Sequence, residues 1–123
     1  MTRVFVVLGS LSACLAVALG AFAAHALKEK LPPDLFTTWE VGVRYHMYHA
    51  LGLFAVAWAT AQFPNSAVSI AGWLFVAGTV IFSGSLYALS LSGMRWLGAV
   101  TPLGGLCFLA GWLWIGWSVW RSS

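Results

Sequence analysis

Charged residues are scarce in this sequence. Only 7% of its 123 residues are Asp, Glu, Lys or Arg, whereas 61% are hydrophobic. A water-soluble domain carries about 25% charged residues, so this chain could not cover a water-exposed surface. Its six basic residues are too few for the dense basic footprint of a nucleic-acid-binding protein. The length fits a single domain, residues 1–123.

Cysteine is also rare. Cys14 and Cys107 both lie inside apolar runs, and they do not form the spaced set that indicates a disulfide framework or a zinc site. We interpret both as packing residues.

Catalytic motifs are missing as well. Ser83-Gly84-Ser85 lacks the frame of a nucleophile elbow, and there is no phosphate loop or dinucleotide fingerprint. The three carboxylates, Glu29, Asp34 and Glu40, all lie in or near one connection. We therefore predict neither enzyme activity nor a cofactor.

Long uncharged runs predict helices that cross a lipid bilayer. A hydrocarbon core of about 30 Å requires about 20 apolar residues in a helix. The runs give predicted spans at residues 4–24, 43–63, 67–91 and 97–120, the middle two separated by the turn Pro64-Asn65-Ser66. Ala21-Phe22-Ala23 resembles a signal-peptide cleavage site and Leu11-Ser12-Ala13-Cys14 a lipoprotein box. Because the first run continues past Cys14, we favour a retained span.

The second span draws polar residues towards the membrane. Its purely apolar part begins at Ala50 and is too short, so the helix must start near Val43. Residues 28–42 contain Pro32-Pro33 and an apolar stripe, which predict a short amphipathic helix along the interface from about Asp34, running into span 2. Glu40 and Arg44 are four residues apart, and we expect them to form an ion pair. The predicted fold class is all-α, a four-helix transmembrane bundle with this interfacial helix between spans 1 and 2.

The predicted topology gathers polar side chains in one half of the bundle. Ionisable groups inside membrane spans are energetically unfavourable and often mark function. The candidate polar cluster consists of His25, Arg44, Tyr45, His46, His49, Ser83, Ser85, Tyr87 and Thr101.

Several interpretations of this cluster stay open. In the first, the side chains bond helix ends and each other or reach the headgroups. In the second, His49 carries protons or binds a small molecule, because imidazole titrates near neutral pH. In weaker alternatives His25, His46 and His49 bind a metal, or one histidine ligates haem.

Small residues predict where the helices pack. In lipid, helices associate through close contact of small side chains. The predicted packing residues are Ser12, Ala16, Gly20, Gly84, Pro102, Gly104 and Gly105. One such stripe could also join copies, and we expect a homo-oligomer. The tryptophans of the last span predict, with Trp58 and Trp73, an aromatic belt at one membrane face.

Four motifs, in order along the chain, carry a family resemblance. Residues 20–27 are similar to "GAFGAH-x-L", although Ala24 replaces the usual glycine. Tyr45 and His49-Ala50-Leu51 resemble "Y-x-x-x-H-A-L", residues 82–87 match "FSGSLY", and residues 101–105 match "TP-x-GG". These motifs resemble the YgdD-like family of small bacterial inner-membrane proteins, whose eukaryotic relative is called transmembrane protein 256. The resemblance implies four membrane helices and supplies no activity.

The sequence thus predicts a small integral membrane protein that binds lipid or a protein partner, or has a structural role. The alternatives are a subunit of a small transporter or channel and a metal- or haem-binding protein. The half with the polar cluster has Lys28, Lys30, Arg44 and Arg95, against Arg3 and Arg121 on the other. By the positive-inside rule we expect the cluster side in the cytoplasm of a bacterial inner membrane.

Overall fold

The computed structural model describes residues 1–122, and these are almost entirely helical, with no strand among them. Four long helices follow one another: α1 (Thr2–Leu27), α2 (Pro33–Gln62), α3 (Ser69–Ser92) and α4 (Arg95–Arg121). A π-helical turn, Ala23–Leu27, ends α1, and another, Thr79–Ser83, lies inside α3. A 3₁₀ turn, Arg95–Ala99, opens α4. The prediction of an all-helical fold is confirmed.

Three of these helices fit a membrane by length and composition. Within the described chain, α1, α3 and α4 are long and apolar enough to cross it. They overlap the predicted spans 4–24, 67–91 and 97–120. α2 has 30 residues and is long enough, but it is not among the three. Its middle contains Tyr45, His46, Tyr48 and His49, which lower its hydropathy.

The helix predicted from about Asp34 is continuous with the second span, as expected. Residues 34–42 are the first turns of α2, which runs without a break from Pro33 to Gln62. Pro33 suits the first helical position, and the Asp34 carboxylate in the first turn complements the helix dipole. The Trp39 indole N–H donates to the carbonyl of Leu19 at 3.1 Å, so this segment packs on α1.

The predicted Glu40–Arg44 ion pair is also wrong. Within residues 1–122 the ion pair is between Arg95 and Asp34, at 3.0 Å, and it joins the first turns of α4 and α2. The Arg95 guanidinium, hydrogen-bonded to Asp34, holds the pKa of that carboxyl below its ordinary value. Both Glu40 and Arg44 are exposed on the outer face of α2.

The helices pack in chain order, with α2 between α1 and α3, and α3 between α2 and α4. The main core lies in the half of the bundle nearer the chain termini. Its buried members are Phe5, Leu53, Val56, Ala57, Ala71, Phe75 and Phe108. A smaller cluster of Ala23, Leu27 and Trp39 fills the opposite end.

Phenylalanine rings pack against glycines of the neighbouring helix and so set the distance between helices. A Cβ on Gly78 would lie 2.5 Å from the Phe108 ring, and one on Gly111 would lie 2.6 Å from the Phe75 ring. A Cβ on Gly104 would overlap the backbone nitrogen of Phe82. These helices therefore approach closely only because the side chain is missing.

The predicted packing residues differ in burial and in how closely they contact a neighbouring helix. Ala16 and Gly104 are buried, and Gly20 faces Val43 of α2. Gly105 lies at the edge of Phe82, Ser12 is half-buried, and Pro102 is exposed near the start of α4. A Cβ on Gly84 would meet nothing within 4 Å, because this residue faces outward from α3. Gly84 is thus not a packing residue within the chain.

Contacts between helices fix which residues share a level. At one end the Thr2 and Thr60 hydroxyls meet at 2.7 Å, and at the other Arg95 meets Asp34. His46 and His49 lie on either side of the midpoint of Pro33–Gln62. His49 stacks on Phe108, the central residue of Arg95–Arg121. Both histidines therefore lie at mid-level in the bundle.

Candidate functional site

The predicted polar cluster divides into two sites on different sides of α2. His49 and Tyr45 face α4, whereas His46 faces α1 and α3 together with Tyr87 and Ser83. Successive helical residues are separated by about 100°, so positions three apart lie on neighbouring but distinct directions of the helix. This is how one short stretch of α2 supplies two separate sites.

His49 is enclosed by aromatic rings. Its imidazole is 4% exposed and stacks on Phe108, with ring centroids 3.5 Å apart and planes within 5°. The Phe75 ring lies edge-on to it, with ring centroids 5.1 Å apart. His49 Nδ1 is 2.7 Å from the carbonyl oxygen of Tyr45, and the Trp112 indole N–H donates to Nε2 at 3.0 Å.

These partners fix the tautomer of His49. A carbonyl only accepts a hydrogen bond, so Nδ1 must carry the proton, and an indole only donates, so Nε2 must be bare. The ring is therefore neutral, and both of its nitrogens are occupied. A proton carrier would have to release Trp112 at each step, so a proton-carrying role of His49 gains no support.

A large apolar groove opens beside this site, between α2 and α4. We call it the α2–α4 groove, and its volume is about 730 Å³. Its outer residues are exposed, so it opens sideways from the helices. Its lining consists of Tyr45, Tyr48, His49, Phe82, Pro102, Gly105, Leu106, Phe108, Leu109 and Trp112.

His46 occupies the second site. Its imidazole is also 4% exposed, and Nδ1 lies 2.9 Å from the Tyr87 hydroxyl. The Tyr87 ring packs on Trp39, with centroids 4.6 Å apart. Beside them the Ser83 hydroxyl donates to the carbonyl of Gly42 at 2.7 Å, which ties α3 to α2.

A second groove runs over His46, between α1 and α3. This α1–α3 groove has a volume of about 420 Å³. Its walls are mostly apolar, with a few hydroxyls among them. Its lining consists of Leu8, Leu11, Ser12, Leu15, Leu19, His46, Leu53, Val76, Thr79, Val80, Ser83, Gly84 and Tyr87.

The remaining polar members mainly join helices or face outward. Ser85 and Thr101 share a hydrogen bond of 2.6 Å between α3 and α4. His25 is exposed near the end of α1 and makes no hydrogen bond within the described chain, and Arg44 is exposed on α2. His25 and Arg44 thus lie outside both histidine sites.

The alternative of a metal held by His25, His46 and His49 is not supported. No group of three His, Cys, Asp or Glu side chains within residues 1–122 is placed to hold a metal ion. The reason is geometric: His25 lies on the surface of α1, while His46 and His49 point to opposite grooves.

Sequence reasoning missed the partners that complete these sites. Trp112 was assigned to an aromatic belt, yet it reaches inward to His49. It follows Phe108 by four residues and so shares a helix face with it, which is the signal that could have found it. Thr79 and Gly78 went unnoticed because Thr79 is an isolated polar residue in an apolar run and Gly78 an isolated glycine.

Long apolar helices joined by short connections, with polar groups paired between them, define a small integral membrane protein. Its family follows from comparison with known proteins. A family model described as "Protein of unknown function (DUF423)" matches residues 19–105. The chain belongs to this family, and the match includes both mid-level histidines.

The similar relatives are also named as membrane proteins. The UPF0382 membrane protein YwdK of Bacillus subtilis is 52% identical over 114 residues, covering 92% of this chain and 93% of the relative. A UPF0382 membrane protein of Staphylococcus epidermidis is 47% identical, covering 90% of each chain. One from Staphylococcus aureus is 41% identical over the same share. No solved structure matches. The family description indicates no catalytic function.

Proposed function

We propose that this protein crosses the membrane four times and is a binding module for lipid, which enters the α2–α4 groove from the side. The observation that carries the proposal is this groove itself. Its volume of about 730 Å³ lies in the range of small-molecule sites, about 300–1,000 Å³. Its lining is almost wholly apolar, and it opens where lipid tails would be.

The depth of the groove supports lipid as the ligand. α2 is about 45 Å long at about 1.5 Å per residue, which exceeds a hydrocarbon core of about 30 Å. With its midpoint at the bilayer centre, Asp34 lies outside the core. His49 and Phe108 then lie near the centre, where acyl chains are the surrounding molecules.

The transporter or channel alternative has less support. Polar side chains along a path would need to be free for a solute, but several of those between these helices are bonded within the protein. Examples are Ser83 with Gly42, Ser85 with Thr101, and Trp112 with His49.

The location and assembly are part of the same proposal. Relatives in Bacillus and Staphylococcus favour a bacterial plasma membrane, with the Lys28 end in the cytoplasm. We also expect copies to associate, because Glu40 and Arg44 are exposed on α2 and could pair across a two-fold axis. The YgdD-like proteins and transmembrane protein 256 are proposed members of the same family, on the four motifs above.

The experiment fills the groove. Leu106 is 61% exposed and lines it, so Leu106→Trp places a large ring in the space. The matched control is Leu113→Trp on the same helix, since Leu113 is 76% exposed and lies outside the groove. Native mass spectrometry of protein released from lipid nanodiscs counts the retained lipids.

We expect the wild type and Leu113→Trp to retain a lipid that Leu106→Trp loses. Equal retention by all three proteins, or no retained lipid in any, contradicts the proposal.

A further inference from the structure

The α1–α3 groove contains polar groups without a partner at mid-level in the bundle. His46 forms its floor, Ser12 its α1 wall and Thr79 its α3 wall. Ser12 lies near the middle of Thr2–Leu27, and Thr79 near the middle of Ser69–Ser92. A polar group at this depth has no water around it, and leaving it unsatisfied is energetically unfavourable by several kcal/mol.

One nitrogen of His46 faces this groove. Nδ1 is engaged with Tyr87, whereas Nε2 makes no hydrogen bond within residues 1–122. Every fully buried side-chain nitrogen or oxygen in residues 1–122 has a hydrogen-bond partner. Nε2 is therefore accessible, although the side chain is more than nine-tenths buried, and the groove is the space that the ring lines.

The Tyr87 hydroxyl makes Nε2 a donor. The Tyr87 O–H has no other acceptor within residues 1–122, so we assign its proton to the bond with His46 Nδ1. Nδ1 then accepts, and in a neutral imidazole the other nitrogen carries the hydrogen. His46 thus directs an N–H into the groove.

The two hydroxyls add further donors. Most serines and threonines of this protein bond a backbone carbonyl of their own helix, as Ser10 does with Val6 at 2.8 Å. Ser12 and Thr79 make no such bond among the described residues, so their O–H groups are free to donate into the groove. No acidic or basic residue lines this space, so nothing there would balance a charged ligand.

We propose that the α1–α3 groove binds a neutral, apolar molecule through a carbonyl oxygen held by His46, Ser12 and Thr79. A carbonyl oxygen only accepts hydrogen bonds, which suits a site lined by donors. This inference rests on the proposed lipid-binding function. It concerns a different groove, and it adds a polar contact and a class of ligand.

Two membrane molecules offer this chemistry. One is a lipid-soluble quinone, whose ring carbonyls travel within the hydrocarbon core. The other is a diacylglycerol lipid, whose ester carbonyls lie near the core boundary, about 15 Å from the centre. The mid-level position of the donors favours the quinone.

The test removes hydrogen-bond donors that make no hydrogen bond within residues 1–122. Ser12→Ala combined with Thr79→Val deletes two hydroxyls that bond nothing in the structure, so folding is preserved. Ser10→Ala, on the same helix but outside the groove, is the matched control. The probes are a decyl-substituted benzoquinone and dioctanoylglycerol, titrated into nanodiscs, with the His46 ring nitrogens followed by NMR.

We expect the quinone to shift the Nε2 resonance of the wild type and of Ser10→Ala. The double variant should bind it about tenfold more weakly, because two hydrogen bonds to the ligand are lost. The same pattern with dioctanoylglycerol in place of the quinone would support the carbonyl site and identify an ester as its source.

Two results overturn the inference. In one, neither probe moves Nε2. In the other, binding is equally strong in the double variant. If Leu106→Trp loses the retained lipid while the Ser12→Ala, Thr79→Val variant binds the probes as strongly as the wild type, the lipid-binding function stands and the His46 site fails.

Discussion

Each ring nitrogen of His49 faces a partner that can only accept or only donate a hydrogen bond. The Tyr45 carbonyl requires a proton on Nδ1, and the Trp112 indole requires a bare Nε2. Stacking on Phe108 holds the ring plane. A histidine in the middle of a membrane helix is thus accommodated as a neutral, fully bonded aromatic residue. His46 differs from it, because only one of its nitrogens is occupied.

Trp112→Phe tests this arrangement. The change keeps an aromatic ring and removes the N–H, so we expect the His49 Nε2 resonance to shift while Nδ1 stays protonated. The free energy of unfolding should fall by about 0.6 kcal/mol and by no more than about 1.7 kcal/mol, the mean and the maximum measured for hydrogen bonds between membrane helices. Solid-state nitrogen NMR and unfolding in a denaturing detergent measure the two effects.

Trp117→Phe is the control for that change. Trp117 is exposed on the same helix, and the only partner that the structure gives its ring is Arg121, 5.6 Å from the centroid. Its substitution should leave both His49 nitrogens unchanged. A Nε2 resonance that is the same in Trp112→Phe and the wild type would show that the indole does not hold the ring.

Between elements, glycines decide how closely the helices approach. Phe75 and Phe108 each fit against a glycine of the neighbouring helix, Gly111 and Gly78 respectively. Gly104 goes further, since it lets α4 touch the backbone of α3 at Phe82. Backbone cannot rotate away as a side chain can, so this is the least tolerant of the three contacts.

Gly104→Ala should therefore separate α3 from α4. We expect a loss of about 1–3 kcal/mol in the free energy of unfolding, as for an overpacked core. Gly116→Ala on the same helix meets nothing within 4 Å. It should instead be neutral or stabilising by up to about 1 kcal/mol, because alanine favours the helix. An equal change in the free energy of unfolding for both variants would mean that the Phe82 contact does not control position 104.

The sequence predicts these elements better than it predicts their mutual rotation. Bilayer thickness and uncharged runs locate α1, α3 and α4 closely. The sequence does not tell whether residues 34–42 will find a partner on another helix, and Trp39 finds one in Leu19. Likewise, His46 and His49 were identified, but their separate grooves depend on how α2 is rotated against α1, α3 and α4. Periodicity within one helix does not determine that angle.

For the whole molecule, the number of crossings is the property on which the proposals depend. Contacts between Thr2 and Thr60, and between the Trp114 indole and the carbonyl of Ala67, place the start of α1 and the ends of α2 and α4 at one end of the bundle. If α2 crosses the bilayer with the others, both chain termini lie on the same side of the membrane. If only α1, α3 and α4 cross, the termini lie on opposite sides.

Reporter fusions at each terminus distinguish these two topologies. Lys28 and Lys30 follow α1 and Arg95 opens α4 at the end opposite the termini, so the positive-inside rule places that end in the cytoplasm. Alkaline phosphatase should therefore be active at either terminus, and a fluorescent protein there should stay dark. A reporter inserted after Lys30 should show the reverse and serves as the internal control. Termini on opposite sides would leave α2 on the membrane surface, and neither His46 nor His49 would then lie at the depth that both binding proposals require.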